Sequence, residues 1–135
     1  MIKVARRTTF NAAHRLHNPA WSEEKNEVVF GKCNSPNYHG HNYTLETWVE
    51  GEIDPETGFV IDLSELKKII LEEVSEPFDH RNFNLDVPEF ESLNPTVENI
   101  AKVIYQKLKP RLQQYGLTIK LYETVNNFVV YTEDN

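Results

Sequence analysis

The sequence predicts an α+β domain, an antiparallel sheet with two helices on one face. Three observations carry this. Residues alternate with a period of two near both ends of the chain, two stretches between them repeat every three to four residues, and Pro, Gly, Asn and Asp cluster at the junctions. The resulting order is β-β-α-α-β-β, with no internal repeat. At 135 residues the chain reads as one domain, 1–135, long enough for an ordinary core without disulfides.

The first strand spans 2–14, where Ile2, Val4, Arg6, Thr8, Phe10, Ala12 and His14 share one parity. Residues 15–38 have no sustained period and hold Asn18-Pro19, Glu23, Glu24, Lys25 and Ser35-Pro36-Asn37. They are expected to form a long functional loop. The second strand covers about 39–52, followed by a turn at Asp54-Pro55-Glu56-Thr57-Gly58 and a short extended piece, Phe59-Val60-Ile61. Asp62, with Glu65 three residues on, has the form of a capping box. Leu63, Leu66, Ile70 and Val74 then mark an amphipathic helix of about three turns, expected to end at Pro77.

Residues 77–94 are irregular. A second helix is expected from Asn94 as cap and Pro95 at its first position, with Val97, Ile100, Ala101, Ile104, Leu108 and Leu112 as its stripe. Pro110 should kink or shorten its last turn, and Gly116 should end it. The third strand is Leu117–Glu123, and Asn126-Asn127 turns the chain into a fourth at 128–132, paired with it as a hairpin.

Composition narrows the function. A net charge of −7 without a dense Lys/Arg run disfavours nucleic acid as a partner. It leaves room for a small anionic substrate in a local basic pocket. No apolar run approaches the ~18–20 residues of a membrane span, and Met1-Ile2-Lys3-Val4 leads into a strand instead of a signal peptide. The single cysteine excludes an intrachain disulfide and fits a reducing, cytoplasmic setting.

The chemistry concentrates in Gly31-Lys32-Cys33-Asn34-Ser35-Pro36-Asn37-Tyr38-His39-Gly40-His41-Asn42-Tyr43. His39 and His41, two apart on a strand, share a face with Cα atoms about 6.5 Å apart. If the first two strands pair, His14 joins them. Three neutral imidazoles with an open fourth position form a ligand set for catalytic zinc. His17, in the loop, is an alternative third ligand. Cys33 sits among Lys32, Asn34, Ser35 and Asn37, a polar setting unlike that of a packed core thiol. Its activation needs a neighbouring base or cation, for which Asp79-His80 is the candidate pair. Glu123 ends the apolar face of Leu117, Ile119 and Leu121. It would suit a ligand with adjacent N–H donors, such as a purine or pterin edge.

Five blocks carry a resemblance. They are Phe10-Asn11-Ala12-Ala13-His14-Arg15-Leu16, the stretch Gly31 to Tyr43, Gly51-Glu52-Ile53-Asp54-Pro55…Gly58, Asp79-His80-Arg81-Asn82, and Tyr122-Glu123-Thr124…Asn126-Asn127. In this order and spacing, over about 8–131, the chain resembles the 6-pyruvoyl-tetrahydropterin synthase family. The resemblance implies the T-fold (tunnelling fold), trimers closing a continuous barrel of strands, and hexamers with active sites between subunits. It makes His14, His39 and His41 the zinc ligands, Cys33, Asp79 and His80 a catalytic triad, and Glu123 the pterin anchor. Thr96 falls in the pterin-contacting segment, although this chain has Pro95-Thr96-Val97 where some members carry two threonines. The implied reaction is a zinc-dependent lyase step, 7,8-dihydroneopterin triphosphate giving 6-pyruvoyl-tetrahydropterin and triphosphate, with no nicotinamide cofactor.

Three other readings compete. One is 6-carboxytetrahydropterin synthase of queuosine biosynthesis, which uses the same substrate and site but releases acetaldehyde. The spacing Cys33-Asn34…Pro36-Asn37 and the block Tyr122 to Asn127 look more like the pyruvoyl-forming enzymes. Another is a cupin-like metal-binding barrel, loosely imitated by Gly31, His39, His41 and Glu46; two sizeable helices and only four clear strands argue against it. The third is a non-catalytic module with structural zinc, in which Cys33 would be dispensable.

Overall fold

The first two strands pair antiparallel along their full length. β1 (Ile2–His14) and β2 (His39–Gly51) run with Ile2 opposite Gly51, Ala12 opposite His41 and His14 opposite His39. The computed structural model describes residues 1–133; residues 134–135, which close the expected domain, lie outside the described residues. Alternation along β1 puts Phe10, Ala12 and His14 on the covered face and leaves Ala5, Arg7, Thr9 and Asn11 exposed on the other. β4 (Gly116–Tyr122) adds antiparallel to β2, and β5 (Phe128–Thr132) adds antiparallel to β4. One further strand was not expected. β3 (Arg81–Asn82) makes a short parallel bridge to Ala12 and Ala13 of β1, so the sheet runs β3-β1-β2-β4-β5.

Residues 15–38 are more ordered than their lack of period suggests. α1 (Glu23–Phe30) lies within them, followed by a 3₁₀ turn at Gly31–Asn34. The Ser22 hydroxyl accepts the Lys25 N–H at 3.1 Å, and Glu23 and Glu24 sit at the positive end of the helix. α1 has no apolar stripe to reveal it, because its one buried residue is Asn26. Asn26 is fully satisfied, exchanging hydrogen bonds with the Asn18 backbone and donating to Ser22 O.

α2 (Leu63–Ile70) starts at Asp62, whose carboxylate accepts the Ser64 N–H at 2.9 Å. The helical path does not stop at Pro77. It widens into a π-helical turn at Leu71–Ser75 and continues through Glu76–Phe78. Proline in a regular α-helix drives its ring into the carbonyl four residues back, and a wider turn relieves that clash. The extension carries Phe78 into the core and leaves Asp79 at the end of the sheet.

The helix α3 (Val97–Leu108) begins two residues later than expected. Thr96 is the cap, its hydroxyl accepting the Asn99 N–H at 3.2 Å, while Asn94 and Pro95 lie outside. Past α3 a short 3₁₀ turn at Lys109–Arg111 contains Pro110. α2 and α3 pack their buried residues against the face of the sheet that holds Leu45, Val49, Leu117, Ile119 and Leu121. At the histidine end the core is aromatic. Phe10 stacks on Tyr43 at 5.1 Å between ring centres, and Phe78, Phe83 and Phe90 pack edge-on below them. Among the described residues, no helix is long and apolar enough to cross a membrane.

Candidate active site

The register of β1 and β2 builds a histidine group that could hold a metal ion. Opposed pairs His14–His39 and Ala12–His41 place three imidazoles on the covered face at one end of the sheet. Ring centres lie 4.5 to 5.0 Å apart, and one nitrogen from each ring falls within 4.8 Å of the others. His14 is fully buried, and its Nδ1 is 2.8 Å from the Pro95 carbonyl. That bond puts the proton on Nδ1 and leaves Nε2 bare and facing the cluster. Among the described residues, the buried nitrogens His14 Nε2, His39 Nε2 and His41 Nε2 have no hydrogen-bond partner. Buried polar atoms are almost always satisfied, and unpartnered ring nitrogens so close together suit a cation. Burial lowers the His14 pKa to about 4 and lowers that of His39 as well. Both rings are therefore neutral at pH 7, the state that ligates.

The other expected residues arrive by different routes. Glu123 follows β4 directly, and its N–H bonds Asn127 O at 3.1 Å to close the β4–β5 connection. Its Oε1 lies 3.6 Å from His41 Nε2, so the carboxylate joins the histidine group. Tyr43 is fully buried, with its hydroxyl 3.4 Å from His14 Nδ1. Burial raises the Tyr43 pKa, and the Glu123 carboxylate pushes it the same way.

Asp79 and His80 form a separate unit. Asp79 Oδ1 accepts the Asn11 N–H at 2.8 Å, and Oδ2 lies 3.1 Å from His80 Nδ1. The Asn11 hydrogen bond, helped by His80, holds the Asp79 pKa below the usual carboxylate range. His80 donates its N–H to Asn11 O and adopts a left-handed backbone with φ of 61°, uncommon for any residue but glycine. This brace turns the imidazole outward, with 83% of the side chain exposed. Among the described residues no hydrogen bond joins Cys33 to His80 within the chain. Thr96 caps α3 beside Pro95, whose carbonyl holds His14. His17 stands outside the trio, its Nδ1 2.9 Å from Asn34 Nδ2.

Three contributors escaped sequence reasoning. The Pro95 carbonyl orients His14, Asn11 holds Asp79 and His80, and Asn34 ties the Cys33 segment to the residues after β1. Only Asn34 carried a signal, its place beside the thiol.

A mixed sheet backed by helices, with a strand-borne cluster of unpartnered histidine nitrogens beside a carboxylate, defines an α+β domain with a candidate metal-binding centre at the sheet end. Residues 3–134 match the 6-pyruvoyl tetrahydropterin synthase family. The chain is 48% identical over 130 residues to human 6-pyruvoyl tetrahydrobiopterin synthase, covering 96% of this chain and 90% of that protein. The solved structure of Caenorhabditis elegans 6-pyruvoyl tetrahydropterin synthase superposes with a TM-score of 0.92 at 37% identity, covering 98% of this chain and 96% of that one. A more distant relative, at 34% identity over 82% of this chain and 77% of its own length, is a dihydroneopterin monophosphate aldolase of Pyrococcus furiosus. The chain belongs to the 6-pyruvoyl tetrahydropterin synthase family.

Proposed function

We propose that this chain converts 7,8-dihydroneopterin triphosphate to 6-pyruvoyl-tetrahydropterin with loss of triphosphate, as a zinc-dependent carbon–oxygen lyase of tetrahydrobiopterin-type pterin biosynthesis. The observation that carries the reading is the orphaned nitrogen cluster of His14, His39 and His41 with Glu123 3.6 Å away, in a chain 48% identical to a protein of that name. The three histidines would hold zinc, which supplies Lewis-acid polarisation of the substrate's side-chain hydroxyl oxygens.

The remaining work falls to the chain itself. Glu123 accepts two hydrogen bonds from the 2-amino group and ring N–H of the pterin, fixing the ring beside the metal centre. Thr96 already accepts one N–H through its hydroxyl oxygen and keeps its own O–H free to donate to the ligand. Cys33 moves protons while the ring is reduced at the expense of the side chain, with His80 as its base and Asp79 orienting that base. The outward aim of His80 and the missing Cys33–His80 bond within one chain favour a triad completed between subunits.

The open edges of the sheet support this arrangement. Among the described residues β5 has no outer partner, and β1 is bridged on its outer side only at Ala12 and Ala13. Open strand edges are sites for pairing, and trimers that join them into a closed barrel, stacked as hexamers, bring His80 of one copy toward Cys33 of another. The half-buried thiol suits a reducing, cytoplasmic compartment. The test is product identification from the purified protein and dihydroneopterin triphosphate. A 6-pyruvoyl product supports the proposal, whereas acetaldehyde with a 6-carboxy pterin overturns it.

A further inference from the structure

The geometry points to Asn34 as the positioning residue that sets Cys33 against the metal centre, a role that rests on Cys33 being the proton-transferring thiol. The segment after β1 and the segment around the thiol are joined by four hydrogen bonds. Leu16 N–H donates to the Cys33 carbonyl at 2.8 Å and Arg15 Nε–H to the Asn34 carbonyl at 2.8 Å. Asn34 Nδ2 donates to the Leu16 carbonyl at 2.8 Å and meets His17 Nδ1 at 2.9 Å. Asn34 is buried, so both amide hydrogens are spent inside the protein.

The arrangement acts as a ruler between two parts of the site. Leu16 lies two residues past His14, itself locked by β2 and by Pro95. On the other side, Ser35 N–H to Lys32 O and Tyr38 N–H to Ser35 O close two successive turns that lead into His39. Tyr38 takes a left-handed backbone at φ of 66°, a conformation disfavoured for an aromatic residue unless its surroundings hold it. The histidines depend on the β1–β2 ladder and not on this loop. Cys33 depends on the loop, and the Asn34 side chain, together with that of Arg15, fastens the loop to the residues that follow the ligand-bearing strand. Loss of the Asn34 amide should therefore separate chemistry from metal binding.

The experiment compares Asn34→Asp, Asn34→Ala and His17→Ala in the full chain. Metal content, kcat, KM for dihydroneopterin triphosphate and the alkylation rate of Cys33 by iodoacetamide are measured. Asn34→Asp turns two donors into acceptors facing an acceptor carbonyl. Asn34→Asp and Asn34→Ala are each expected to lower kcat by about 100-fold, the scale of a small misplacement of a reacting group. KM stays within about twofold, metal content is unchanged, and the alkylation rate shifts severalfold. His17→Ala removes one of the two bonds and is expected to cost about fivefold in kcat. The proposal is overturned if folded Asn34→Asp keeps wild-type kcat, or loses metal and turnover in parallel. Should Asn34→Asp fail to fold, unchanged kcat in His17→Ala overturns it. Cys33→Ser separates the two levels. If that variant turns over normally, the thiol assignment has failed; if it is inactive while Asn34→Asp is active, only the positioning role has.

Discussion

Removing the titration of His14 should flatten the acid side of the metal-free protein's stability curve. In the unfolded chain this imidazole takes up its proton near its ordinary value of 6.5, whereas in the folded protein burial keeps it neutral down to about 4. Between those values the unfolded state binds more protons, so stability rises with pH through the window. The contribution is complete above pH 6.5 and is lost as pH falls toward 4. At about 1.4 kcal/mol per pH unit, the gap corresponds to about 3 kcal/mol. The comparison is His14→Gln, whose amide can still donate to Pro95 O but does not titrate. Urea unfolding followed by tryptophan fluorescence, on chelated protein at fixed concentration, gives the stability at each pH. Wild type should lose about 3 kcal/mol more than the variant between about pH 7 and pH 4. His39, also lowered by burial, is present in both proteins and cancels. Superimposable curves would refute the account of His14 as a buried, neutral ligand in waiting.

Four other outcomes follow from the same geometry. His39→Ala should abolish stoichiometric metal binding, read by elemental analysis, while far-UV circular dichroism stays unchanged because the β1–β2 ladder is backbone-made. Cys33→Ala should retain the metal and lose turnover by about 10²–10⁴-fold, the range for a positioned proton-transfer group. Glu123→Gln should raise KM for the pterin more than it lowers kcat, since a neutral amide replaces a charge-assisted acceptor; an unchanged KM would remove Glu123 from ring binding. Leu66→Ala, at a fully buried position of α2, should cost about 2–5 kcal/mol in urea unfolding without altering metal content.

The elements that bury an apolar face were legible in the sequence, because a period of two or of three to four is what burial on one side imposes. That is why β1, β2, α2 and α3 stood out, and why the parity of His14, His39 and His41 foretold their convergence. α1 was silent for the same reason: it is a helix held by Ser22 and by a satisfied, buried Asn26 in place of a stripe. β3 spans two residues and pairs in parallel, too short for any pattern. Pro77 misled because a π-helical turn absorbs its ring, and Asn94 because Thr96, two residues on, makes the capping bond. At the candidate site, residue types and faces could be read, but carbonyl and amide partners could not. Pro95 O, Asn11 N–H and the Asn34 amide act through contacts between residues 68 or more apart in two cases and 18 apart in the third.

The unbroken pairing of β1 with β2 also decides where this chain can change length. Inserting or deleting one residue within 10–14 or 39–43 would rotate an imidazole to the opposite face of the sheet, because facing alternates at every step. Asn11, and with it the Asp79–His80 brace, would move in the same event. The segment 53–58 faces no such constraint: Asp54 and Gly58 close it on themselves, and its residues are exposed. Length variants should therefore be viable at that turn and lethal to metal binding at the other end of the strands. A scan of single-residue insertions along the gene would draw this boundary directly.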